Sequence, residues 1–123
     1  MFKRIDHLAL HVPEVAAAVR FYTENFGFEK IFEALVAGGQ TIAFIQLGDS
    51  LIELTERHEP EPMSGFHLCL QADDFDAAMA GLCARGLPLV TEARPTSPRG
   101  PHEAACRRAV FRGPYGELIE IRG

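Results

Sequence analysis

The chain carries two copies of one pattern, and this duplication constrains its fold more than any other feature. A shift of 60 places lays His7-Leu8-Ala9-Leu10 on His67-Leu68-Cys69-Leu70, and Ala17-Ala18-Val19 on Ala77-Ala78-Met79. A shift of 67 lays Phe44 on Phe111, and Leu51-Ile52-Glu53-Leu54 on Leu118-Ile119-Glu120-Ile121. A longer loop in the second half absorbs the difference. A small unit that cannot close its own sheet gains by pairing with a copy, and the copy brings its polar residues to equivalent places.

Each copy reads as strand, helix and three strands. Leu8, Leu10 and Val12 alternate with other residues as in a half-buried strand. Val15, Ala18, Val19, Tyr22 and Phe26 then form a helical stripe that stops at Gly27. Three strands follow at about 29–37, 40–47 and 50–55, with Gly38-Gly39 and Gly48-Asp49 as turns. The order restarts with a strand over 66–72 and a helix over 74–85 that buries Phe75, Ala78, Met79 and Leu82 and ends at Gly86. Strands at 87–93, 107–112 and 117–121 complete it, with the Pro- and Gly-rich segment 94–106 as an irregular excursion. The expected class is α+β, one domain over 1–123 with module one at about 1–56, a link at 57–65 and module two at about 66–123.

Composition narrows the function. At 47% hydrophobic and 24% charged residues the chain has an ordinary globular balance. A formal charge of −5 opposes binding to nucleic acid, where affinity comes from Lys and Arg neutralising phosphates. No run approaches the roughly 20 apolar residues of a membrane span, and the start of the chain lacks a signal-peptide core. Cys69, Cys83 and Cys106 form no CxxC pair, which favours buried or inert thiols in a reducing cytoplasm over a disulfide frame.

The repeated polar residues are His7 with Glu53, and His67 with Glu120. Imidazole nitrogen and carboxylate oxygen suit nickel, zinc, cobalt, manganese or ferrous iron. A single His or Glu in a strand is usually solvated or paired with a neighbour, and alternation could place both glutamates on a solvent face. Recurrence at matching places argues for a shared task, because a carboxylate among Leu and Ile is costly to bury without a partner. The expectation is one divalent metal held by His7, Glu53, His67 and Glu120, with Glu53 and Glu120 as candidate general bases.

Several segments resemble the vicinal oxygen chelate superfamily, which includes glyoxalase I, methylmalonyl-CoA epimerase, extradiol dioxygenases and the fosfomycin and bleomycin resistance proteins. They are Ile5-Asp6-His7-Leu8-Ala9-Leu10, Arg20-Phe21-Tyr22, Phe26-Gly27-Phe28, Leu51-Ile52-Glu53-Leu54, Gly65-Phe66-His67-Leu68 and Gly116-Glu117-Leu118-Ile119-Glu120. The resemblance covers nearly the whole chain and implies two βαβββ modules curled into a half-open barrel around a metal. It is closest in ligand pattern to glyoxalase I, onto whose four metal positions His7, Glu53, His67 and Glu120 fall. The turn Gly113-Pro114-Tyr115-Gly116 departs from the family's frequent Asp-Pro-Asp-Gly. Homodimers are common in the superfamily, and a cytoplasmic homodimer is the expectation here.

Other residues bear on the substrate. Phe44 and Phe111, taken as repeat mates one strand from the ligands, are expected to line the cavity. Arg107 and Arg108, beside a long loop, are candidate contacts for an anionic substrate or a thiol conjugate. His11, His58 and His102 lack repeat partners and are read as surface or hydrogen-bonded residues. The leading expectation is a glyoxalase I-like lyase or isomerase acting on an α-keto hemithioacetal or related small molecule. Epimerisation beside a thioester is the alternative, ring-cleaving dioxygenation the third choice, and non-enzymatic binding of a drug or metabolite the reading from another class.

Overall fold

The computed structural model describes every residue except Phe2, Pro62 and Ser64. The chain divides into two units, 1–61 and 62–123. Their boundary falls within the expected link at 57–65, of which Pro62 and Ser64 lie outside the described residues. Each unit is a βαβββ module, so the chain is α+β with an internal duplication.

Unit one contains β1 (Leu8–Val12), α1 (Val15–Phe26), β2 (Glu29–Val36), β3 (Gln40–Leu47) and β4 (Ser50–Glu56). Its sheet has the order β1-β4-β3-β2, with β1 parallel to β4 and the other pairs antiparallel. Val15, Ala18 and Tyr22 are buried on one stripe of α1, which ends where Gly27 turns left-handed at φ 73° and donates to Thr23. Leu10, Val12, Ala43, Ile45, Ile52 and Leu54 are buried by alternation on one face of the sheet. The opposite face holds Ala9, Phe44 and Glu53, which lie side by side in the ladder.

Unit two contains β5 (His67–Gln71), α2 (Phe75–Ala84), β6 (Leu89–Thr96), β7 (Cys106–Arg112) and β8 (Leu118–Arg122), with strand order β5-β8-β7-β6. Asp74 caps α2 by accepting the Ala77 N–H at 2.9 Å. Strand β6 runs to Thr96, past Pro95, so the excursion is shorter than 94–106. The strand lies at the sheet edge, where a proline removes no needed ladder donor, and its register shifts twice between Leu89 and Arg94.

The second hairpin corrects the repeat alignment. Gly48 and Asp49 join Leu47 to Ser50, whereas Pro114, Tyr115 and Gly116 join Gly113 to Glu117, whose carbonyl accepts the Gly113 N–H at 2.8 Å. The extra residue moves β7 by one place relative to β3. Val110 therefore stands opposite Glu120 as Phe44 stands opposite Glu53, while Phe111 stands opposite Ile119 as Ile45 stands opposite Ile52. Phe111 is fully buried, on the sheet face opposite that of Glu120, and is neither the mate of Phe44 nor a residue of the Glu120 face.

Candidate metal centre

In unit one, His7 lies just ahead of β1, on the face that carries Ala9 and Glu53. Its Nδ1 is 3.0 Å from Asp6 Oδ2, so the neutral ring donates from Nδ1 and leaves the Nε2 lone pair free. This hydrogen bond is the main reason Asp6 sits below the usual carboxylate range. His7 Nε2 faces Glu53 Oε2 at 3.5 Å. The Thr55 hydroxyl donates to Glu53 Oε1 at 2.7 Å, so one carboxylate oxygen is held and the other is left toward His7. Phe44 meets the His7 ring edge-on at 5.3 Å.

Unit two repeats the pair with different support. His67 Nε2 lies 3.9 Å from Glu120 Oε2, and the side chains are 57% and 13% exposed. Phe66 precedes His67, so no carboxylate takes the place of Asp6. Arg122 occupies the place of Thr55 and donates to Cys106 Sγ at 3.0 Å instead of to the glutamate. Glu120 Oε2 accepts from Arg108 Nη1 at 3.2 Å. Cys69 lies beside Glu120 in the ladder, and burial, then the charge of Glu120, pushes its thiol pKa up.

Donor chemistry and spacing fit a divalent cation. With bonds of about 2.1 Å, neighbouring N and O ligands stand about 3.0 Å apart at a right angle and about 3.4 Å at a tetrahedral one. The His7 and Glu53 pair meets the wider spacing, and the His67 and Glu120 pair is wider still. Among the described residues no group of three or more His, Cys, Asp or Glu side chains is placed to hold a metal ion. The four expected ligands are thus brought together as two pairs.

The remaining expected site residues separate. Phe44 and Arg108 touch the pairs, as above. Arg107 turns to the helix side, where it bonds Asp76 at 2.9 Å and lies 4.6 Å over the Phe75 ring. That arrangement fastens α2 to β7 and removes Arg107 from the Glu120 face. His11 bonds Glu61 at 3.1 Å, as expected of a hydrogen-bonded residue outside the site.

A family model described as the Glyoxalase/Bleomycin resistance protein/Dioxygenase superfamily matches residues 4–121. The chain belongs to this superfamily. Human mitochondrial methylmalonyl-CoA epimerase is 28% identical to it over 102 residues, which are 72% of this chain and 57% of the epimerase. The chain thus spans little more than half of that relative's length. The crystal structure of a glyoxalase family protein from Enterococcus faecalis matches with a TM-score of 0.79 at 22% identity, covering 99% of this chain and 98% of that one. The fosfomycin resistance protein FosX from Listeria monocytogenes, solved with Mn(II) and sulfate, matches with a TM-score of 0.77 at 16% identity, covering 100% and 93%. These two likenesses establish the superfamily fold.

Within the superfamily frame, Asp6 and Thr55 are functional candidates that pattern reading passed over. Both were findable: Asp6 adjoins His7, and Thr55 shares the face of Glu53 by alternation. Cys69, Cys83 and Cys106 are free thiols, but none is buried as expected: Cys69 and Cys83 are exposed and Cys106 is half-buried. No helix among the described residues is long and apolar enough to cross a membrane.

Proposed function

We propose that this chain is a metal-dependent lyase or isomerase of glyoxalase I type, using one divalent ion (Ni, Zn, Co, Mn or Fe) held by His7, Glu53, His67 and Glu120. The observation that carries the reading is one His and Glu pair, repeated in both units, with imidazole Nε2 turned to a carboxylate oxygen. The bound cation would supply Lewis acidity to a carbonyl or enolate oxygen of a small substrate.

The chain's own residues would move the proton. Thr55 holds Glu53 Oε1, so Oε2 is the atom that, once it swings off the cation as substrate binds, would take a proton from the carbon beside the substrate carbonyl and return it to the neighbouring carbon. Arg108 engages Glu120 Oε2, which leaves Glu53 the freer base of the two. Asp6 keeps His7 in the tautomer that presents Nε2. The working assembly is a cytoplasmic homodimer.

Epimerisation beside a thioester carbonyl is the second reading, favoured by the likeness to the human epimerase. It uses the same proton abstraction but returns the proton to the opposite face of one carbon, a task for Glu53 and Glu120 together.

Metal analysis and uptake decide between an enzyme of either kind and a metal-free binder. Protein purified without chelator is expected to hold a divalent metal or to take up nickel, cobalt or zinc stoichiometrically. Failure of both overturns the proposal. Turnover of glutathione with methylglyoxal, set against racemisation of an acyl-CoA, then separates lyase from epimerase. Glu53→Gln is expected to abolish whichever activity is found.

A further inference from the structure

Unit two contains a cavity of ≈ 430 Å³ that the proposed chemistry leaves unused. Cys69 of β5, Cys106 of β7 and Arg122 of β8 line it, together with Arg99, Glu103 and Ala104 of the loop between β6 and β7. Its volume lies in the lower part of the range for small organic ligands. The Arg122 side chain is only 12% exposed. It donates to Cys106 Sγ at 3.0 Å and reaches Glu103 Oε1 at 3.3 Å. Both oxygens of Glu103 are already taken by Arg99, through its guanidinium and its backbone N–H. Two guanidinium groups therefore share one carboxylate.

We propose that this cavity is a subsite for a small monocarboxylate, whose carboxylate is taken by Arg122 and Arg99 and whose other end runs along β5 and β8 toward Glu120. The placement of that other end rests on the proposed function; the carboxylate site does not. Arg122 stands two residues beyond Glu120 on the same face of β8, and Cys69 adjoins Glu120 in the ladder, so the path between them follows one sheet surface. The guanidinium fork suits a planar carboxylate. Charge favours a monoanion, because the second charge of a phosphate dianion would meet Glu103 and, along the same sheet face, Glu120.

The probe is sodium 2-hydroxybutyrate, followed by calorimetry and by amide NMR on the protein as purified. Saturable binding is expected, with shifts at Ala104, Ala105 and Gly123, and Arg122→Gln should weaken it at least about tenfold. Should that variant fail to fold, the exposed Arg99→Gln is expected to weaken binding severalfold with the fold intact. The uncharged 2-hydroxybutyramide should not compete, and inorganic phosphate should bind more weakly. Equal binding of the amide, tighter binding of phosphate, or shifts confined elsewhere overturns the subsite. Hydroxybutyrate binding without metal uptake sinks only the metal proposal, and metal uptake without hydroxybutyrate binding sinks only the subsite.

Discussion

Arg108 Nη1 donates to Glu120 Oε2 at 3.2 Å, and this is the same oxygen that faces His67. A cation bound by Glu120 through that oxygen must compete with the guanidinium, whereas among the described residues no Lys or Arg side chain bonds Glu53. The two half-sites are therefore copies in sequence but not in electrostatics. Arg108→Gln is expected to tighten nickel or zinc binding by roughly fivefold, since a partly exposed pair contributes up to about 1 kcal/mol. Calorimetric titration checks this, and unchanged or weaker binding would mean that Arg108 does not compete for the oxygen.

Asp6 gives the first half-site a support that the second lacks. Its carboxylate orients His7 and fixes the tautomer, and outer-shell partners of this kind are commonly worth about tenfold or more in metal affinity. Asp6→Asn is expected to weaken metal binding by about that lower figure while leaving the denaturation midpoint unchanged. A chelator competition assay reads the affinity. Phe66→Asp, which places a carboxylate beside His67, should shift affinity the other way.

The pairing of each His with its Glu was legible in the repeated Leu-Ile-Glu segments, because period-2 alternation carries both residues to the same side once the strands are placed. Alternation also settled what the sequence had left open. Ile52 and Ile119 are buried on one sheet face while Glu53 and Glu120 lie on the other, with 22% and 13% of their side chains exposed. The position of β7 was not legible, since a turn longer by one residue leaves almost no compositional mark and yet turns every side chain of the strand over. Phe111 was misplaced for that reason, whereas Arg107 and Arg108 were both named for lying beside the long loop, which does not tell the two sheet faces apart. Arg122 was missed differently: its role depends on Cys106 and Glu103, which lie far from it in sequence, and no local pattern joins them.

Phe44 and Phe111 should separate cleanly in mutation. Phe111 is fully buried between neighbours of the unit-two core, so Phe111→Ala is expected to cost about 3–5 kcal/mol in folding free energy. Phe44, partly exposed and edge-on to His7, should cost far less when replaced by Ala and should instead disturb metal or ligand binding. Urea denaturation of both variants beside a binding titration makes the comparison. Similar stability losses would contradict the register described for β7.

The loop that lines the unit-two cavity carries its own pH dependence. Side-chain and then backbone hydrogen bonds from Arg99 hold the Glu103 pKa down to about 2, against 4.5 for the free side chain. A carboxyl depressed in the folded state contributes order that is complete above the unfolded value and is lost as pH falls through the folded one. The clamp should therefore be intact above pH 4.5 and release as pH falls toward about 2. Carboxyl carbon NMR of Glu103 follows this directly. Arg99→Gln should return the titration toward 4.5, and an ordinary titration in the unmodified chain would show that the clamp is absent.

Gly113 is where the register of β7 is set, and it can be tested by its contact with Glu117. A Cβ at Gly113 would fall 2.2 Å from the carboxyl carbon of Glu117, which is fully buried and accepts the Tyr115 N–H at 2.9 Å. Gly113→Ala must push that carboxylate out of its place, and overpacking of this kind costs about 1–3 kcal/mol. Glu117→Ala removes the clash but leaves the turn amide without its acceptor. If the two groups occupy one space, the double variant should be more stable than the sum of the single losses predicts. The same turn brings Arg108, rather than Arg107, to the face of Glu120. Gly113→Ala should therefore also loosen the Arg108 contact and shift metal affinity in the direction of Arg108→Gln, whereas additive stabilities with unchanged affinity would separate the turn from the site.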